Sequence, residues 1–330
     1  MRLTLVIMAL YALAAPAAGI AQDTATGNPY ARFEFSMDNE FNLPVVTNFS
    51  LAGLRLPALL DLGAEALVVD SATFDYLGLH TQHRAEAVSA SGARYSRPAS
   101  VVNITSPGTT RTVILDIVAN DSLLNADSPF SCILPRSLVR TDKLAVLGSR
   151  SEIYLYSEPC PTLPFDPNIG HLIPGAQAVS IWETGSGLMV PVLIDGADLY
   201  FFKLDTGASV SSINAKLAEA HPGLVKPTGG HDSVVVSNGL PQLRRRLEVM
   251  SGVSILTHQS HIPLDGLTVQ EDTSVPPGLP KVEPDETWPN FMAPAGTLGM
   301  DFLGQYDLVI DFEHHVLLLW DGGSTPVLLN

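Results

Sequence analysis

Apolar residues in this chain fall in short runs broken by glycine, proline and polar pairs, a pattern of many strands joined by turns. One run, residues 54–60, leads into Asp61-Leu62-Gly63-Ala64 and is followed by a second apolar run through Leu67-Val68-Val69. The arrangement recurs at residues 199–204, which lead into Asp205-Thr206-Gly207-Ala208 and then a further strand-like run to Ile213. Each is preceded by a strand-like stretch carrying a proline, Leu43-Pro44-Val45-Val46 in one case and Val190-Pro191-Val192-Leu193 in the other. Helical signals are few: residues 72–77, 214–220 and 301–306, the last just before an expected strand at 308–312.

The correspondence continues downstream. Residues 113–118 resemble 261–269, and Ala145-Val146-Leu147-Gly148 matches Gly296-Thr297-Leu298-Gly299. Four matches in one order imply an internal duplication. The expected halves are 28–160 and 178–330, joined by a proline-rich linker at 161–177. Residues 270–296, rich in Pro, Asp and Glu, are expected to form a long surface loop.

Composition narrows the function. The 330 residues are enough for two domains, and 46% hydrophobic content describes a chain with a real core. Eighteen basic against thirty-four acidic residues give a net charge of −16, which argues against nucleic acid and anionic membrane surfaces as partners. Met1-Arg2, an apolar stretch at 3–13 and small residues ending at Ala21 read as a signal peptide, residues 1–21, cleaved after Ala21. The mature protein is therefore expected to be periplasmic or secreted and free of the membrane. The only cysteines, Cys132 and Cys160, are expected to close a disulfide in an oxidising compartment, the alternative being two buried thiols.

An Asp-Thr-Gly between two apolar strands, followed downstream by Leu298-Gly299-Met300-Asp301-Phe302-Leu303, resembles the retropepsin-like aspartic peptidases. The likeness is closest over residues 296–312 and looser in the first half. It implies an all-β fold of two retropepsin-like (acid-protease) β-barrel lobes in tandem with a cleft between them. It also implies catalytic Asp205 and Asp61, one from each lobe, acting on a peptide or protein substrate without a cofactor or metal. Chemistry supports the pairing: two carboxyls about 3 Å apart cannot both ionise cheaply, so one serves as base and the other as acid toward a water molecule. Thr206, Gly207, Ala208, Leu298 and Gly299 are expected to shape one side of the site and Gly63 the other.

The first half departs from the family pattern. Leu62 stands where a Thr or Ser is expected, and residues 149–156 show no helix like that after Gly299. Either Asp61 is still the second catalytic carboxyl of a monomer, or the first half is degenerate. In the latter case the chain binds peptides or a partner without cutting them, or acts as a homodimer using Asp205 alone. Glu65, four positions after Asp61, is a candidate substrate contact or an exposed turn charge. The Asn238-Gly239 turn is expected at the tip of a flap hairpin, and Tyr95 on its counterpart. His258, His261, His314 and His315 read as surface histidines, and Arg244-Arg245-Arg246 as a solvated strand edge.

Overall fold

The computed structural model describes residues 31–38, 42–88, 94–105, 112–121, 124, 128–139, 143–156, 176–184, 187–235, 241–273 and 294–321. The expected signal peptide, most of the linker, Cys160 and the hairpin tips at 89–93 and 236–240 lie outside the described residues. The protein is all-β in class, and among the described residues four short α-helices of four to six residues are placed between strands.

The same order of seven strands occurs twice. In the first half it runs His83–Val88, Arg94–Thr105, Thr112–Ala119, Leu67–Val69, Cys132–Pro135, Ala58–Asp61 and Pro44–Val46. In the second it runs Val225–Val235, Pro241–Val249, Thr268–Asp272, Ser212–Asn214, Gly296–Leu298, Asp198–Leu204 and Gly187–Ile194. Parallel pairs fall at matching places: Ala58–Asp61 beside Cys132–Pro135, and Asp198–Leu204 beside Gly296–Leu298. A hairpin of Val253–Leu256 and His261–Pro263 is present in the second half and pairs onto Gly187–Ile194.

Register corrects one feature of the expected repeat. Leu134 lies opposite Leu60 and Leu298 opposite Leu204, so the counterpart of Leu298-Gly299 is Leu134-Pro135 and not Leu147-Gly148. The helix expected to be missing from the first half follows at once, as Arg136–Val139, matching Met300–Leu303. Lys143–Leu147 instead pairs with Tyr306–Asp311 of the second half.

That pairing joins the halves. Six antiparallel strands run in the order Gln177–Ser180, Val316–Asp321, Tyr306–Asp311, Lys143–Leu147, Glu152–Tyr156 and Ala31–Met37. Alternation sends Leu144, Val146, Leu308, Ile310, Leu317 and Leu319 into the main core, while Ala145, Leu147, Val309, Leu318 and Trp320 form a second cluster. Lys143 reaches Asp311 at 3.6 Å, and Ser149 N–H donates to the buried Asp307 carboxylate at 2.9 Å. The arginine run is neutralised where it lies, with Arg244 on Asp272, Arg245 on Glu271 and Arg246 on Asp232.

The expected Cys132–Cys160 disulfide falls on Cys160, which lies outside the described residues; Cys132 itself is buried. It sits on a strand flanked by two others, where it packs as a small apolar side chain. Leu144→Ala opens a cavity in the shared sheet and should cost about 2–5 kcal/mol by denaturant titration.

Candidate active site

Asp61 ends the strand Ala58–Asp61, and Asp205 directly follows Asp198–Leu204. Each chain then folds back in the same tight turn, with Ala64 N–H donating to Asp61 O and Ala208 N–H to Asp205 O, both at 3.2 Å. The turns aim amides at their own carboxylates. Gly63 and Ala64 N–H donate to Asp61 Oδ1 at 2.7 and 3.0 Å, and Gly207 N–H donates to Asp205 Oδ1 at 3.0 Å.

The two turns meet tip to tip. A Cβ on Gly63 would run into the Asp205 carboxyl and Lys203 Nζ, and one on Gly207 would run into the Asp61 carboxyl. Each carboxyl thus rests on the other half's glycine, an approach open only to a residue without a side chain. Asp61 and Asp205 are within hydrogen-bonding reach of each other. Burial and the neighbouring Asp205 charge push the Asp61 carboxyl up to about 8, against the opposing pull of the Lys203 ammonium.

Thr206 locks the approach from beneath. Its buried hydroxyl donates to Leu60 O at 2.7 Å and accepts from Leu62 N–H at 3.0 Å, both in the other half. Leu62 has no hydroxyl to return these bonds; its side chain is 1% exposed and joins the core. Under Asp205, the backbone N–H donates to Leu298 O at 3.1 Å, and Met300 N–H donates to Ala208 O at 2.8 Å. At Gly299 a Cβ would press on Ala208 O and Val210, and Gly299 N–H donates to Ser211 Oγ at 3.0 Å. The first half repeats the strap: Arg136 N–H donates to Ala64 O at 3.1 Å and Ser137 Oγ to Glu65 O at 3.1 Å.

Two cationic residues at the site were not singled out from the sequence. Lys203 Nζ lies 3.0 Å from Asp205 Oδ2 and donates to Gly63 O at 3.2 Å. Burial disfavours its ammonium, but the charges of Asp205 and Asp61 outweigh this and raise its pKa. Arg136, nearly buried, donates to Leu62 O at 3.5 Å and to Glu65 Oε1 at 3.2 Å, and pairs with Glu183 Oε1 at 3.4 Å. Glu65 is accordingly both an ion-pair partner and a largely exposed carboxylate at the rim. Lys203 was legible in principle, since strand alternation puts residues 203 and 205 on one face.

The expected flaps are antiparallel hairpins, with Ala87 opposite Tyr95 and Val235 opposite Pro241. Asn238 and Gly239 lie outside the described residues, as does the Tyr95 side chain. Away from the site, Asp311, Glu313 and His314 lie close enough to suggest a metal, but Asp311 is already engaged by Lys143 and by His314 Nδ1 at 2.9 Å.

No protein-family model matches the chain, and neither does any curated protein. Among solved structures it is similar to basic 7S globulin from soybean, at 11% identity over 91% of this chain and 98% of that one. The TM-score is 0.48, a likeness too distant to carry an argument.

Thr206→Val leaves Leu62 N–H and Leu60 C=O without their partner and should cost about 1–3 kcal/mol, whereas Thr206→Ser should stay near wild type by denaturant titration. Asp61 also makes stability depend on pH. With a folded pKa near 8 and an unfolded one near 4, its contribution is full below about pH 4 and lost as pH rises through about 8. Across that interval the unfolding midpoint of Asp61→Asn should fall less than that of wild type.

Proposed function

We propose that the chain is an aspartic endopeptidase built of two retropepsin-like lobes about a cleft, with Asp61 and Asp205 as its catalytic pair. The reading is carried by one observation: each carboxyl is seated on the glycine of the opposite turn, within hydrogen-bonding reach of the other. The pair forms within a single chain, and Thr206 bridges its two turns.

Peptide hydrolysis follows from a pair that holds one proton. The ionised carboxyl takes a proton from water as the water oxygen attacks the scissile carbonyl carbon. The protonated carboxyl gives its proton to the carbonyl oxygen, producing a neutral gem-diol. The carboxyl that took the proton from water returns it to the amide nitrogen while the other takes one back from a gem-diol hydroxyl, and the carbon–nitrogen bond breaks to release an amine and a carboxylic acid. The hydrolysis then restores the starting protonation of the pair. The signal peptide expected at residues 1–21 supports an activity outside the cytoplasm, and peptides or proteins are the proposed substrates.

A second reading is a peptide-binding protein that does not cut. It is favoured by Leu62, which leaves the threonine bridge one-sided, and by a lysine ion-paired to one of the two carboxyls. Incubation of a denatured protein with wild type, Asp61→Asn and Asp205→Asn from pH 3 to 9 separates the two. A peptidase should lose about 10²–10⁴-fold in kcat/KM in each variant. Wild type that cuts nothing at any pH, yet retains peptide, establishes the binding protein instead.

A further inference from the structure

The two carboxyls have matching backbone surroundings but different charged ones. Each Oδ1 accepts from amides of its own turn. The difference lies two residues upstream, where the first half has Leu59, buried in the core, and the second has Lys203. That lysine is fixed at two points, Asp205 Oδ2 in its own half and Gly63 O in the other.

We propose that Lys203 sets the direction of the reaction: its ammonium holds Asp205 as the carboxylate and leaves the shared proton on Asp61. On the peptidase reading, on which the roles rest, Asp205 is then the base toward water and Asp61 the acid toward the carbonyl. Lys203 is a positioning residue, acting through the carboxyl it pairs with. An ammonium 3.0 Å from one oxygen of a partly buried carboxylate favours the ionised form of that group above its neighbour. The remaining charges do not reverse the bias. Arg136 approaches from the helix Arg136–Val139 and is itself paired with Glu65 and Glu183. The lysine also remains charged while the pair titrates, since the two aspartates outweigh its burial. The raised pKa of Asp61 agrees with the same placement of the proton.

The test is a carbon-13 NMR titration of the aspartate carboxyls in the intact protein, assigned with Asp61→Asn and Asp205→Asn. In wild type, Asp205 should remain ionised at pH values where Asp61 still carries its proton. Lys203→Met should move the transitions of the pair upward by about 1–3 pH units, and Lys203→Arg should restore them. A proton found on Asp205 in wild type overturns the proposal without any lysine variant, and so does a titration that Lys203→Met leaves in place. Cleavage assayed on the same samples keeps the two readings apart. Titration as expected with no cleavage by wild type ends the peptidase reading and leaves the proton placement standing. Cleavage with an unresponsive titration does the reverse.

Discussion

Two carboxyl groups forced within a hydrogen bond of each other repel once both are ionised, and the rest of this structure can be read as the means of holding them there. Nothing in either aspartate favours the arrangement. It depends on two missing side chains, at Gly63 and Gly207, and on one hydroxyl, at Thr206, that ties the turns together through backbone groups. Those turns are positioned by parallel strand pairs, Ala58–Asp61 with Cys132–Pro135 and Asp198–Leu204 with Gly296–Leu298. The pairs hang in turn on a six-stranded antiparallel layer that neither half forms alone. The energetic logic is that of strain kept at a site by surroundings that over-determine it.

Much of this was legible in the chain. The duplicated apolar run, Asp-x-Gly-Ala and second apolar run at residues 54–69 and 199–213 located both turns, and the all-β class followed from short runs and turn residues. Three features are easily passed over, for separate reasons. A glycine after apolar residues is the obvious mark, and it points to Gly148 as the partner of Leu298-Gly299. Its true counterpart carries Pro135, and only strand register reveals it. The burial of Cys132 is overshadowed by the chemistry its compartment suggests, although its apolar neighbours Ile133 and Leu134 mark a buried strand. Lys203 is hidden in an apolar run, because composition describes a strand as a whole while alternation assigns each residue its face.

Arg136 shows how far the halves have diverged while keeping one backbone. Its amide makes the same bond to the aspartyl turn as that of Met300, so the strap is common to both. The side chains do opposite things. Met300 fills the core, whereas Arg136 carries a charge into the site and is neutralised there by Glu65 and Glu183. The sequence offered no spacing that links residue 136 to 65 and 183; these are brought together by the sheet alone.

Joining both halves in one polypeptide has a consequence for what the centre can contain. In an assembly of two identical subunits, any residue beside the rotation axis is present in duplicate. A lysine at the place of Lys203 would then arrive as two ammonium groups facing each other across two carboxylates. Covalent linkage lifts that rule, so this centre can hold one lysine without a symmetry twin against a pair of acids, and inequality between the acids becomes a property that mutation can reach.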